Sequence, residues 1–296
     1  MGKIMDNSLA DAPLVLFDSQ KFAAFEYRAK GNSFKELPLI DTENFAERIP
    51  KDFKSIYVGG VDQSFLLVGG FDLRKQITSN AAFMYQKGKL KEVLEMYLPR
   101  QFFGMCTNLM AELASTTTHA NENGAGDQIV KDAIVFVIGG FNDTIGCLKQ
   151  VESFSMETYA WKQHSSMNTE RINPGCCTFE KQYVYVFGGR SAEARADFLD
   201  SIERLNTDLN LWSFFKIRLP EKLCNLFAFT VKKDYIMVLG GLKRVKYDQR
   251  TGQVIDANYK REVKQKYVKC EQQVDPSVYL YSHAKQEWFN LKPLSK

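Results

Sequence analysis

Histidine and cysteine are the first residues to consider for metal or redox chemistry in this chain of 296 residues. His119 falls in a stretch rich in Thr and Asn, His164 follows a tryptophan-containing segment, and His283 lies in a polar turn. The six cysteines form no CxxC pair, and the adjacent Cys176 and Cys177 suit neither a zinc knuckle nor a regular disulfide framework. Because catalysis and metal binding need several such groups held together, we predict no metal, no cofactor and no enzymatic activity. We expect the cysteines to be reduced thiols in a cytoplasmic protein.

Basic residues offer a second kind of chemistry, because they are concentrated in one stretch. Residues 243–269 hold nine lysines or arginines against three acids, although the whole chain carries a net charge of only +4. Such a stretch attracts an acidic protein segment or another polyanion over a long range. A solvated loop without a partner is the alternative. Nucleic acid is disfavoured, because the stretch offers only Tyr247, Tyr259 and Tyr267 for base stacking.

A sequence pattern that occurs four times indicates the scaffold that positions this stretch. Each occurrence is an apolar run of strand length that ends in two glycines, which is typical of a strand buried on both faces. The glycines supply positive φ and let another backbone approach closely. The pairs are Gly69 and Gly70, Gly139 and Gly140, Gly188 and Gly189, and Gly240 and Gly241.

A second pattern follows three of the glycine pairs. An apolar residue precedes a tryptophan by seven positions with a polar turn between them, which predicts a hairpin; the pairs are Phe154 and Trp161, Leu205 and Trp212, and Tyr281 and Trp288. In the second unit the same spacing from Tyr85 reaches Glu92 in place of tryptophan. Successive glycine pairs lie 70, 49 and 52 residues apart, and a period near 50 with four strands is typical of propeller blades.

In these motifs the chain resembles the kelch-repeat β-propellers, whose superfamily includes the central domain of galactose oxidase. The resemblance implies an all-β fold of about five blades of four antiparallel strands, of which the first is incomplete. We expect a ring that is closed by a segment around Gly2–Met5, is open, or belongs to a longer protein. We expect a tail over 1–13 and a propeller over 14–294. Its units are 14–39, 55–98, 102–167, 175–217 and 226–294, with a flexible insertion at 111–132 and a basic insertion at 243–269.

Strand direction predicts which loops share a face of such a propeller. If strands a to d alternate in direction, the b–c loops and the d–a connections lie at one end, and loops on a rigid scaffold commonly carry recognition. The basic residues predicted to contact a partner there are Arg74, Arg100, Arg171, Arg190, Arg195, Lys222, Lys243, Arg244, Lys260, Arg261, Lys264 and Lys266.

The resemblance implies a protein-interaction module, and we expect a protein partner, no nucleic acid and no membrane. No apolar run approaches the roughly 20 residues that span a bilayer. One alternative is the substrate-recognition subunit of a ubiquitin ligase or of a cytoskeletal or ciliary assembly. Another is a kelch-type sugar epimerase or mutarotase, for which Glu170 beside Arg171, or Glu221 beside Lys222, are the acid/base candidates.

Overall fold

The computed structural model describes residues 49–50, 53–59, 64–86, 89–108, 133–180, 182–192, 198–231, 234–255 and 268–292, and the backbone of three earlier strands. Regular structure in these residues is entirely β-strand. The strands of the first half are β1 (Leu14–Asp18), β2 (Ala23–Arg28), β3 (Ser33–Leu37), β4 (Lys54–Gly59), β5 (Ser64–Val68), β6 (Phe71–Asp72), β7 (Ile77–Thr78), β8 (Ala82–Gln86), β9 (Lys89–Glu92), β10 (Gly104–Thr107), β11 (Ile134–Ile138), β12 (Phe141–Asn142) and β13 (Gly146–Cys147). Those of the second half are β14 (Val151–Ser155), β15 (Ala160–His164), β16 (Gly175–Phe179), β17 (Tyr183–Phe187), β18 (Ile202–Asn206), β19 (Leu211–Phe214), β20 (Phe227–Val231), β21 (Tyr235–Leu239), β22 (Leu242–Asp248), β23 (Val268–Val274), β24 (Val278–Ser282) and β25 (Glu287–Leu291).

Nineteen of these strands form five antiparallel sheets that follow one another along the chain, and the other six form three two-stranded ribbons. Sheet 1 has three strands, β1-β2-β3, and the other sheets have four. They are sheet 2 (β4-β5-β8-β9), sheet 3 (β10-β11-β14-β15), sheet 4 (β16-β17-β18-β19) and sheet 5 (β20-β21-β24-β25). In each four-stranded sheet the order in space equals the order in the chain, and the second strand is the one that ends in Gly-Gly.

Neighbouring sheets meet along their first strands. The strands β4, β10, β16 and β20 contact each other in that order. The hydroxyl of Thr178 donates a hydrogen bond of 2.8 Å to the carbonyl of Thr107, and the hydroxyl of Thr230 donates to the carbonyl of Thr178. Because the three threonines hold the same position in β10, β16 and β20, one side-chain bond recurs between successive sheets.

The core lies between the faces of these sheets. Sheets 2 and 3 enclose a cluster around Leu66 and Phe154, and sheets 3 and 4 enclose one around Val186 and Leu205. Sheets 4 and 5 enclose the third, around Tyr185. Alternate residues of a strand in sheets 3 and 4 therefore face two different sheets, which is why the glycine-ended strands of these sheets are apolar throughout.

In sheet 3 both glycines of the pair are needed for the close approach of backbone from elsewhere. A Cβ on Gly139 would lie 2.6 Å from the carbonyl oxygen of Arg171, and one on Gly140 would lie 2.6 Å from that of Gln101. Both residues also have positive φ, 62° and 101°. The first glycine therefore accommodates the segment that leads into the next sheet, and the second accommodates the segment that leads into its own sheet.

Most predicted strands are confirmed, and one register is corrected. The predicted pairs Phe154–Trp161, Leu205–Trp212 and Tyr281–Trp288 lie directly opposite each other. In sheet 2, however, Tyr85 pairs with Leu90, whereas Glu92 pairs with Phe83. The turn between β8 and β9 is two residues shorter than its counterparts, so counting seven residues from Tyr85 is wrong. The tail over 1–13 and the insertion over 111–132 lie outside the described residues.

Candidate interaction surface

Three of the four connections that follow the glycine pairs contain two-stranded ribbons at one end of the sheets. Strands β6 and β7 form one short ribbon, and β12 and β13 form another. Their turns are stabilised by an acidic or amide side chain that accepts from the backbone: Oδ1 of Asp72 accepts from the N–H groups of Arg74 and Lys75, and Oδ1 of Asn142 from those of Thr144 and Ile145. This is the turn chemistry expected of Asp and Asn.

The corresponding connection in sheet 5 forms a long ribbon, here called the basic ribbon and defined as β22 with β23. Seven cross-strand pairs run from Leu242↔Val274 to Asp248↔Val268. Part of the predicted basic insertion is thus regular antiparallel structure. Within the ribbon, Arg244 and Lys246 lie on one face with Cys270, because alternate residues of a strand share a face.

Contacts at its base hold the basic ribbon to the body of the protein. The guanidinium carbon of Arg244 lies 5.3 Å from the centroid of the Phe198 ring, which belongs to the connection of sheet 4. The ammonium of Lys243 lies 3.5 Å from Oδ1 of the buried Asp275. Leu242 also exchanges backbone hydrogen bonds with Cys224. The basic ribbon is therefore held by the connections of two neighbouring sheets.

Some cations of this region are compensated within the ribbon. Arg250 forms an ion pair of 2.9 Å with Asp248, and Lys269 forms one of 2.6 Å with Glu271. The exposed Lys246 stands directly opposite Cys270.

The other predicted contact residues are distributed as follows. Arg74, Arg190, Lys222 and Arg244 are exposed at the end that carries the ribbons, and Lys243 is half-buried. Arg195, Lys260, Arg261, Lys264 and Lys266 lie outside the described residues. The exposed predicted residues thus share one end of the sheets.

Arg100 and Arg171 require a correction, because both are fully buried. Each precedes the first strand of a sheet and reaches back to the carbonyl of the first glycine of that sheet's pair: Nη1 of Arg100 donates to Gly139 and Nη1 of Arg171 donates to Gly188. Both cations are unavailable to a partner. Their position in a connection suggested exposure, but the connection folds inward.

A buried glutamate neutralises each of these arginines. Arg100 pairs with Glu152, and Arg171 pairs with Glu203 at 3.0 Å. Burial lowers the pKa of both guanidinium groups, and the glutamates oppose this shift. Sequence reasoning missed both glutamates, although each stands nine residues before the tryptophan of its hairpin, which is the signal that could have found them.

Glu170 and Arg171, considered above as an acid/base pair, have separate partners. Oε1 of Glu170 accepts from the N–H of Ala192 at 2.8 Å, while Arg171 lies buried against Glu203. Three buried thiols are similarly unsuited to nucleophilic chemistry. Burial raises the pKa of Cys106 and Cys177, and raises that of Cys224 to about 11, so the reactive thiolate is suppressed.

All six cysteines are free thiols. The described residues contain no group of three or more His, Cys, Asp or Glu side chains placed to hold a metal ion. In the same residues no helix is both long and apolar enough to cross a membrane. Comparison with known proteins found no matching family model and no matching curated protein.

Proposed function

We propose that the five sheets are the blades of a kelch-type β-propeller and that the chain is a non-enzymatic protein-interaction module. In this proposal the partner presents an acidic segment, which binds at the end of the sheets that carries the ribbons. Three observations support the propeller arrangement: the first strands lie side by side, the sheets share one strand order, and the glycine pairs meet the connections of neighbouring sheets.

The basic ribbon carries the functional part of the proposal. A surface that recognises an extended acidic chain needs cations displayed on a support that is already ordered, because ordering them on binding costs free energy. The stacking of Arg244 on Phe198 and the strand pairing from Leu242 to Asp248 provide such a support. The exposed Lys246 and Arg190 extend the positive surface over two connections.

The experiment uses a fluorescein-labelled peptide of eight alternating Asp and Glu residues as the probe and fluorescence anisotropy as the measurement. We expect saturable binding to the full chain that weakens as salt is added, because long-range attraction is screened. Arg244→Glu combined with Lys246→Glu should abolish it, since both substitutions replace attraction by repulsion.

The matched control is Lys89→Glu combined with Lys91→Glu, which makes the same charge change on the exposed edge strand β9. Each pair of substitutions lowers the net charge by the same amount. If both double variants lose the peptide equally, binding depends on net charge alone and the assignment to the basic ribbon is wrong. The same conclusion follows if the ribbon variant binds as tightly as the unmodified chain.

A further inference from the structure

The interface between sheets 4 and 5 contains buried polar groups that have no hydrogen-bond partner. Tyr281 is only 2% exposed, and its hydroxyl is unpaired. Nε1 of Trp288, which lies directly opposite Tyr281, and Nδ1 of His283 are also buried atoms without a hydrogen-bond partner. A buried polar atom without a hydrogen-bond partner lowers the stability of the fold, so three in one place call for an explanation.

The two preceding interfaces satisfy the corresponding groups. Nε1 of Trp161 donates to the carbonyl of Leu94 at 2.6 Å, and Nε1 of Trp212 donates to that of Ser165 at 2.8 Å. Both bonds cross to the preceding sheet. The nitrogen of Trp288 therefore differs from its two equivalents in having no partner. The residue opposite Trp288 also differs from its two equivalents.

That residue is Tyr281. Phe154 in sheet 3 and Leu205 in sheet 4 occupy the equivalent register, as the residues opposite the tryptophan of the hairpin. Neither side chain has a polar atom. Sheet 2 also has a tyrosine in this register, Tyr85 opposite Leu90, but among the three sheets with the tryptophan hairpin sheet 5 alone places a hydroxyl there.

Sheet 4 faces this hydroxyl with a cation that has no carboxylate partner in the described residues. Arg204 is half-buried, and its guanidinium carbon lies 4.5 Å from the ring centroid of Tyr183 and 5.9 Å from those of Tyr185 and Phe215. Within the described part of the chain it forms a single, long hydrogen bond, 3.5 Å from Nη1 to the hydroxyl of Tyr185. The equivalent positions hold Met84 in sheet 2 and Ser153 in sheet 3, so the charge is also specific to this interface.

The groups on the two sheets belong to one electrostatic neighbourhood. Burial raises the pKa of the hydroxyls of Tyr185 and Tyr281, and the charge of Arg204 partly opposes both shifts. Both hydroxyls are therefore protonated at neutral pH and can donate. The nitrogen of Trp288 can only donate. The interface thus presents a cation and neutral donors, and no carboxylate among the described residues pairs with the cation.

We propose that a carboxylate binds between sheets 4 and 5, where it accepts hydrogen bonds from Arg204 and from the hydroxyl of Tyr281. One guanidinium balances one negative charge, which favours a carboxylate over the more highly charged phosphate. The rings of Phe215 and Trp288 border Tyr281 at 5.7 and 5.2 Å between centroids, which favours a carboxylate joined to an apolar or flat body. A free organic acid and a glutamate side chain of a peptide share this chemistry.

The test measures ligand-dependent thermal stability and tryptophan fluorescence of the full chain, with sodium benzoate as the free acid. A blocked peptide with a single glutamate represents the second source, and inorganic phosphate represents the competing anion. We expect benzoate or the peptide to raise the unfolding midpoint in a saturable manner. Arg204→Met, which reproduces the residue of sheet 2, and Tyr281→Phe should each weaken the apparent affinity by about tenfold or more, as expected for one lost hydrogen bond to a charged group.

Two controls separate binding from folding. Tyr279→Phe removes a hydroxyl on the same strand that already has a partner, Asp275 at 3.2 Å, and should leave the affinity unchanged. Tyr281→Phe should not lower the midpoint without ligand, since it removes an unpaired group. A response to phosphate alone, no response to any probe, or undiminished binding by both variants would overturn the proposal. None of these outcomes affects the basic ribbon, which lies on another connection.

Discussion

The interface of sheets 3 and 4 and the interface of sheets 4 and 5 use the same backbone with opposite chemistry. In the first, Arg171 leads into sheet 4 and pairs with the buried Glu203. In the second, Leu223 leads into sheet 5 at the equivalent position, and Tyr279 stands where sheet 4 has Glu203. One repeat therefore accepts either a buried ion pair or an apolar contact.

The difference between the two interfaces extends to a third position. The carboxylate of Glu203 accepts hydrogen bonds from the N–H groups of Asn168 and Thr169 at 2.7 and 3.1 Å. At the position equivalent to Asn168 the next connection has Pro220, which has no N–H group. The loss of the acceptor is thus matched by the loss of a donor.

Removing one member of the ion pair should have the largest effect on this comparison. Glu203→Leu leaves the Arg171 guanidinium buried and unpaired, and we expect a loss of about 3–5 kcal/mol in the free energy of unfolding, measured by urea denaturation. A separate triple variant, Arg171→Leu with Glu203→Tyr and Asn168→Pro, copies the second interface and should lack most of this loss. If the triple variant is as unstable as Glu203→Leu, the two interfaces are not interchangeable.

Glycine substitutions provide a second comparison between repeats, because the first glycine of the last pair has more space around it than its equivalent in sheet 3. Gly139→Ala and Gly240→Ala both place alanine at positive φ, which costs about 1–2 kcal/mol. The Cβ at 139 would also lie 2.6 Å from a backbone oxygen of the next sheet, whereas the nearest atom at 240 is 3.5 Å away. We therefore expect Gly139→Ala to lower the unfolding midpoint clearly more than Gly240→Ala. Equal losses would mean that backbone conformation alone accounts for the repeated glycine pairs.

The tryptophans allow a smaller comparison between satisfied and unsatisfied nitrogens. Trp161→Phe removes the hydrogen bond to Leu94 and should cost about 1 kcal/mol beyond the change in ring size. Trp288→Phe removes an unpaired nitrogen and should lack this additional cost. Thermal denaturation in buffer without organic anions provides the measurement. A larger loss for Trp288→Phe would show that its nitrogen has a structural partner.

The smallest effect concerns pH and the polar contacts between sheets 3 and 4. His164 contacts Ser153 at 2.8 Å and Asn210 at 3.3 Å, and burial is the main cause that lowers its pKa from the ordinary 6.5. The unfolded chain therefore takes up the proton first as the pH falls, and the contribution of neutral His164 to stability decreases as the pH falls through 6.5. The stability advantage of the unmodified chain over His164→Gln should shrink from pH 7.5 to a pH of about 5, measured by urea denaturation. An advantage that grows on acidification would contradict this sign.

Much of the architecture was predictable from local patterns. The apolar runs before the glycine pairs and the spacing from Leu205 to Trp212 fix strand length and hairpin register, because both depend on the alternation of side chains along one strand. The one register error, at Glu92, arose from a shortened turn, which leaves no signal in a spacing rule. The burial of individual arginines was less predictable. Arg100, Arg171 and Arg190 all lie in connections, and no local sequence pattern separates the two buried ones from the exposed one.

The sequence by itself determined that the chain consists of antiparallel strands in repeated units with a positively charged connection after the last glycine pair. Only the tertiary structure decided which cations face solvent, because a buried glutamate from a strand distant in the chain neutralises Arg171. It also decided that Arg204 and Tyr281 share an interface, although 76 residues separate them in the sequence. The physical reason is that burial and pairing are properties of the contact between sheets, whereas strand formation is a property of each segment.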